Sequence, residues 1–363
     1  MTRLLAILFV CGPLLPARAL AQGVDPFDAS RLAKVGDTVR YGAYDILKIG
    51  DGIYQFDNRD IHPPIGTPGA LGVDFYLISG SARALMVDSG NNYMDGNRQV
   101  PRRRNAAEEL RTAVKALTGN VPLELAVTHM HADHNGMTRA FLDSHVKYWA
   151  GEGEDLGMLK TEFNLPATTY TLFKSGEKTF DLGGGRVVET FLVNGHTGGC
   201  TVYILHTEGM VFTGDCYGNG EGLGAASGDR IRMFAQSSQK FEDYILANFA
   251  PLGRYTLRVY SGHSWENGYQ GFYREGPVPV DVGFLDWRFL QNMASCANGI
   301  VKGKWLVEGS GLNFVEYSTD PASRNYNASA RPDLKRGAMT YGIGSMMGSL
   351  EAFYEAAGLK MPQ

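Results

Sequence analysis

The chain has 363 residues, with 34 basic and 38 acidic side chains for a formal charge of −4. That length suits one large domain with an extension, or two domains, and either can bury a sizeable core. The acidic balance offers no electrostatic footing for a polyanion, so nucleic acid is set aside as a substrate.

Reading from the N-terminus, Arg3 precedes an apolar stretch from Leu4 to Leu15, and Ala19-Leu20-Ala21 supplies small residues for a signal peptidase. This is the layout of a secretory signal peptide. The stretch is shorter than the roughly 20 residues that cross a bilayer, and Pro13 and Pro16 interrupt it. Val10 before Cys11 is larger than lipoprotein processing favours. Residues 1–21 are therefore expected to be removed, giving a periplasmic or secreted bacterial-type product with no membrane span. Cys200, Cys216 and Cys296 remain, too few for a disulfide scaffold, although an oxidising compartment lets one bond persist.

Residues 22–49 read as a lead-in. Strand character then follows at Gly52–Phe56, Val73–Ile78, Ala84–Val87, Leu123–Val127, Val146–Ala150, Val187–Val193, Thr201–Leu205, Met210–Thr213 and Leu257–Tyr260. Asn105–Leu117 reads as a helix, because Leu110, Val114 and Leu117 repeat at helical spacing before Gly119-Asn120. Further helices are expected to start near His134 and Ser238. Strands and helices mixed in this way predict sheets covered by helices. After His263 the texture changes: Pro277 and Pro279, a helix around Phe284–Ala297, a polar stretch at Ser318–Pro332, and a Gly/Met-rich segment near Gly342–Gly348. This last part reads as an appended lobe.

The chemistry concentrates where strands end. Leu123–Val127 runs into Thr128-His129-Met130-His131-Ala132-Asp133-His134. A spacing of two lets His129 and His131 point the same way, while Asp133 and His134 can turn toward a second position. Gly195-His196, Gly214-Asp215 and Gly262-His263 each follow another apolar strand. Five of the eight histidines fall into this pattern, and loops on a rigid scaffold are where sites form.

The series His129-x-His131-x-Asp133-His134, then His196, Asp215 and His263, resembles the metallo-β-lactamase superfamily. Leu85-Met86-Val87-Asp88-Ser89-Gly90 is similar to that family's early strand ending in a structural aspartate. The resemblance spans Gly50 to His263 and implies an α+β fold, a four-layer αββα sandwich over residues 50–276. Residues 277–363 would form a C-terminal extension contributing to the substrate pocket.

It further implies that His129, His131 and His196 hold one metal, that Asp133, His134 and His263 hold a second, and that Asp215 bridges them. Asp133, His134 and Asp215 would carry catalytic duties, Asp133 by orienting the nucleophile and passing a proton to the leaving group. Two Zn2+ ions are the default for imidazole and carboxylate donors with an open position, with iron or manganese as alternatives. The implied activity is that of an exported zinc-dependent hydrolase, using a metal-bound hydroxide to cleave a carbonyl ester, lactone, thioester or amide in a small molecule. Asp215 resembles glyoxalase II and lactonase-like members, whereas true β-lactamases usually carry Cys or Ser there, so a β-lactam is less favoured. The glyoxalase II family's basic glutathione-binding residues have no counterpart that can be placed. The alternative is a mononuclear-iron sulfur oxygenase of the same fold with a His-His-Asp site, in which His134 and His263 would lack a metal role. A non-catalytic binding module is disfavoured because every family ligand is present.

Weaker signals lie around this series. Cys200 and Cys216 flank a hairpin and can face each other across it, as a disulfide or as two small buried thiols. Tyr217 and Asn219, before the glycine-rich stretch Gly220–Gly228, and His62, in a flap or plain surface loop at Asn58–Gly72, are candidate substrate contacts. His145 and His206 lie outside the series and read as structural or exposed.

Overall fold

The computed structural model describes residues 24–58, 73–94, 102–142, 145–218, 223–224, 227–249, 256–263, 285–317, 335–341 and 344–361. The expected signal peptide, His62 and Asn219 lie outside the described residues, as do the whole polar stretch at 318–332 and Phe284.

In chain order the elements begin with strands β1 (Thr38–Tyr41), β2 (Tyr44–Gly50), β3 (Ile53–Asn58), β4 (Asp74–Ser79) and β5 (Ala84–Val87), then helix α1 (Ala106–Thr118). Next come β6 (Leu123–Ala126), the one-turn helix α2 (Ala132–Asn135), β7 (Lys147–Gly151), α3 (Gly157–Phe163) and β8 (Thr171–Phe173). These eight strands form one sheet in sequence order. The first five pair antiparallel, and β5 through β8 pair parallel. Parallel neighbours need a long crossover, which α1 supplies between β5 and β6. Ala84–Val87 is buried at every position, as befits a strand covered on both faces.

The second half contributes β9 (Thr179–Gly183), β10 (Arg186–Leu192), β11 (Thr201–Leu205), β12 (Met210–Gly214), β13 (Leu223–Gly224), α4 (Gly228–Asn248), β14 (Arg258–Ser261) and β15 (Leu285–Asp286). It closes with α5 (Trp287–Val301), β16 (Asn313–Glu316), β17 (Arg336–Tyr341), β18 (Gly344–Ser349) and α6 (Leu350–Ala356). The second sheet runs β15-β14-β12-β11-β10-β9, and a third runs β13-β18-β17-β16.

Three apolar cores separate four layers. One packs α1, through Ala106, Leu110, Ala113 and Val114, on the first sheet. The middle core joins the sheets through Tyr76, Ile78, Leu85, Val87, Phe180, Tyr203, Phe212 and Tyr260. The outer core packs α4 and α5 on the second sheet, with Ile231, Phe234, Phe241, Phe289, Leu290 and Met293 against Val202, Ile204 and Val211. This is the expected αββα sandwich.

Several elements depart from the sequence reading. Residues 22–49 contain β1 and all but the last residue of β2, which extend the first sheet. The helix expected near Ser238 begins ten residues earlier, at Gly228, where the Ser227 side chain accepts a hydrogen bond from the Arg230 N–H. That cap satisfies a helix-end donor. The Gly/Met-rich segment is strand β18, and its Met346 lies in the outer core. The C-terminal residues thus share a core with the second sheet, and Leu285 pairs with Val259 at its edge. Among the described residues no helix is long and apolar enough to cross a membrane.

Candidate metal centre

Parallel pairing gathers the site on one edge. Strands β5 and β6 run parallel in the first sheet, and β12 and β14 in the second. Their C-terminal ends therefore place Asp88, His129–His134, Asp215 and His263 on one side, and the β10–β11 loop adds His196. The seam beneath is held by hydrogen bonds between the sheets. Thr201 N–H donates to the Thr128 carbonyl at 2.8 Å and Asp74 N–H to the Gly262 carbonyl at 2.8 Å. The Tyr203 hydroxyl donates to the Val127 carbonyl at 2.7 Å.

The glycines beside the ligands have steric causes. A Cβ at Gly262 would stand 2.5 Å from both Asp215 Oδ1 and His134 Cε1, and one at Gly214, where φ is +49°, would stand 2.2 Å from Thr128 Oγ1. A side chain at Gly262 would displace the side chains of Asp215 and His134 themselves, and one at Gly214 would displace the Thr128 side chain that orients His129.

His129, His131 and His196 form one set. His131 Nδ1 lies 3.0 Å from His129 Nε2 and 2.9 Å from His196 Nε2. The His129 tautomer follows from its neighbour. Thr128 Oγ1 donates its single proton to Asp88 Oδ2 at 2.8 Å. It must therefore accept from His129 Nδ1, 3.1 Å away, and the lone pair of Nε2 is left facing the cluster. Burial first, and then the neighbouring imidazoles, push His129 well below the ordinary histidine range. Burial also pushes His196 down to about 4 and lowers His131. Neutral imidazole is the form that binds metal.

Asp133, His134 and His263 form the second set, and donor atoms within each set lie within 4.8 Å of one another. His134 Nδ1 sits 2.9 Å from Asp88 Oδ2, which fixes the ring so that Nε2 points at Asp133 Oδ2 (3.8 Å) and Asp215 Oδ1 (3.5 Å). Asp215 lies between the sets, with His263 Nε2 at 3.3 Å and His196 Nε2 at 3.9 Å. Burial alone would raise the Asp215 pKa, but the facing His263 and His134 outweigh it and hold the carboxyl well below its usual range. Burial likewise opposes charge on His134, yet Asp215 and Asp133 drive its pKa well above the ordinary value.

The donors fit metal ions. His134 Nε2 and Asp215 Oδ1 are buried without a hydrogen-bond partner, a costly state unless a cation or proton lies between such groups. His129, His134 and His263 form a buried floor, whereas the side chains of His196, Asp133 and Asp215 keep 14–21% of their surface open. A substrate can therefore reach the cluster from the side of those three residues.

Other sequence-selected residues fall elsewhere. The Tyr217 ring is 1% exposed and packs on Phe234 and Phe241 at 5.3 and 5.9 Å. It has no free surface for a substrate, so it serves the outer core instead. Cys200 and Cys216 are buried free thiols. His145, which is exposed, and His206, which is partly buried and stacks on Phe249 at 4.7 Å, stand apart from the cluster. Sequence reasoning missed Glu154, which is 8% exposed and accepts hydrogen bonds from the loops on either side of the three-histidine set. Nothing in Gly151-Glu152-Gly153-Glu154 signals that placement. It also missed that the third sheet reaches the site, for Leu223 and Gly224 pair with Met346 and Met347 and His196 touches the Gly224 backbone.

This αββα sandwich with its His/Asp cluster is the metallo-β-lactamase sandwich fold. Residues 68–223 match the family model described as the metallo-beta-lactamase superfamily. Similar solved structures include the DIM-1 metallo-β-lactamase, at 19% identity over 71% of this chain and 98% of that one, with a TM-score of 0.46. A metallo-β-lactamase from Pontibacter korlensis shows 19% identity over 70% and 98%, with a TM-score of 0.47. The metallo-β-lactamase FIM-1 from Pseudomonas aeruginosa, in its mono-zinc form, shows 14% identity over 71% and 96%, with a TM-score of 0.46. No curated protein matches.

Proposed function

We propose that this chain is an exported, dinuclear zinc-dependent hydrolase that cleaves a carbonyl ester, lactone, thioester or amide of a small molecule. The supporting observation is the meeting of two three-donor sets at Asp215, whose carboxylate faces His196 on one side and His134 and His263 on the other. His129, His131 and His196 would hold one ion, and Asp133, His134 and His263 the other, with Asp215 between. Bound zinc supplies Lewis acidity toward a carbonyl and lowers the pKa of water.

The chain's own residues do the rest. Asp88 and Thr128 hold His134 and His129 with their lone pairs inward. Asp133 is the most open carboxylate of the set, placed to accept a proton from the attacking water and return it to the leaving group. The apolar cores beneath exclude water from the floor of the site. Export rests on the residue pattern of 1–21, which ends in Ala19-Leu20-Ala21.

Elemental analysis together with a panel of lactones, thioesters, esters, β-lactams and phosphodiesters tests the reading. Two zinc ions per chain with turnover of a carbonyl substrate is the expected result. One iron per chain with sulfur oxidation and no hydrolysis would overturn it. Growth of cells expressing the full chain, followed by fractionation, tests export: recovery only from the cytoplasm at full mass refutes it.

A further inference from the structure

Glu154 is a buried carboxylate outside the ligand series, and its contacts explain its place. Oε2 accepts the Met130 N–H at 3.0 Å. Oε1 accepts the Gly199 N–H at 3.1 Å and the Thr197 hydroxyl. Met130 lies between His129 and His131, and Thr197 follows His196. One carboxylate therefore grips both loops that carry the three-histidine set, one loop after β6 of the first sheet and the other between β10 and β11 of the second.

We infer that Glu154 is a positioning residue that sets the spacing between His196 and the His129/His131 pair; this rests on the metal-centre reading above. The contact it governs is the 2.9 Å approach of His196 Nε2 to His131 Nδ1 across the seam of the two sheets. Metal affinity depends on donor placement to within about 0.5 Å. A carboxylate offers acceptors only, so it meets three donors at once without conflict. An amide of the same shape must turn its NH2 toward at least one of them. The second set is anchored differently, through Asp88 to His134, and lies outside the reach of Glu154's hydrogen bonds.

A simpler role is that Glu154 only satisfies loop donors and adds stability. The two roles separate by which metal site responds. Stepwise zinc competition against a chromophoric chelator would be run on the full chain, its His196→Ala variant, Glu154→Gln and Thr197→Val. The step weakened in His196→Ala identifies the three-histidine set. Glu154→Gln is expected to weaken that same step by about 10- to 100-fold, the usual effect of losing an outer hydrogen-bond partner, and to leave the other step unchanged. Its cobalt(II) visible spectrum should change in the band belonging to that step. Thr197→Val, which removes one of the three donors, should weaken the same step by less.

Wild-type affinities and an unchanged cobalt spectrum in Glu154→Gln overturn the inference, whatever its melting temperature. Equal weakening of both steps also overturns it, because that is general loosening. If Glu154→Gln does not fold, Thr197→Val decides, and an unchanged step there refutes the positioning role. Failure of the wild-type chain to bind zinc at all overturns the metal-centre reading itself and the inference with it.

Discussion

Replacing Asp88 with Asn should weaken both metal sites at once, although Asp88 is not itself a ligand. The backbone tolerates the change, since Asp88 has φ 63° and Asn enters that region readily. The side chain does not. Oδ1 accepts Thr128 N–H at 2.6 Å, and Oδ2 accepts Thr128 Oγ1 and His134 Nδ1 at 2.8 and 2.9 Å. An amide can keep only one acceptor oxygen. With its NH2 at the Oδ1 position, two N–H donors face each other at the Thr128 backbone. One charge-assisted hydrogen bond is lost, at a cost of about 1.5–3 kcal/mol. With NH2 at the Oδ2 position, Thr128 Oγ1 turns its proton to His129 Nδ1 and His134 Nδ1 becomes the acceptor. Both rings would then present N–H, rather than a lone pair, to the cluster. In either orientation the negative charge behind His134 is gone and Nε2 becomes less basic. Loss of such a partner weakens metal binding by about 10- to 100-fold, or about 1.4–2.8 kcal/mol per ion. Zinc competition against a chromophoric chelator, with thermal unfolding of the zinc-free protein in parallel, measures both effects. Wild-type affinity at both sites in Asp88→Asn would refute the tautomer argument.

Other perturbations follow from the same geometry. His131→Ala should lose zinc from the three-histidine set together with activity, and full activity in that variant would remove His131 from the ligand set. Asp133→Asn should lower turnover by about a hundredfold or more, on the scale of general acid–base catalysis, and weaken zinc in the second set; unchanged zinc content and turnover would contradict its role. Phe289→Ala, deep in the outer core, should cost about 3–5 kcal/mol of stability with zinc affinity unchanged, as read by denaturant unfolding and chelator competition. Removing zinc with a chelator should lower the melting temperature, because an ion held at 1,000 times its Kd adds about 4 kcal/mol; an unchanged melting temperature would argue against bound metal. A chain ending near Gly276 should lose solubility, since α5 and α6 cover Phe234, Phe241 and Ile245 of α4; a soluble, folded product with an unchanged KM would show that these residues neither support the core nor shape the pocket.

Elements formed by local interactions leave a mark in the sequence that elements formed by distant partners do not. Strands Ala84–Val87 and Thr201–Leu205 were legible to the residue, because uninterrupted apolar runs bounded by turns are a local signal. The start of α4 was not, for its first turn, Gly228-Asp229-Arg230, is polar and faces partly outward. Strand β18 was read as a Gly/Met-rich segment because it becomes a strand only by pairing with β17 and β13. β-Propensity depends on such neighbours more than helix propensity does.

The donor series itself was a matter of sequence: His129, His131, Asp133, His134, His196, Asp215 and His263 each follow an apolar strand, and that order is local chemistry written along the chain. Which nitrogen of His129 and of His134 faces inward was decided only by the fold, through the hydrogen bonds of Asp88 to Thr128 and His134 that parallel pairing of β5 and β6 makes possible. So were the burial of Tyr217 in the outer core and the placement of Glu154 between two loops. Residue type and spacing specify what a chain can offer a ligand. Distances between segments tens of residues apart exist only once the sheets have packed.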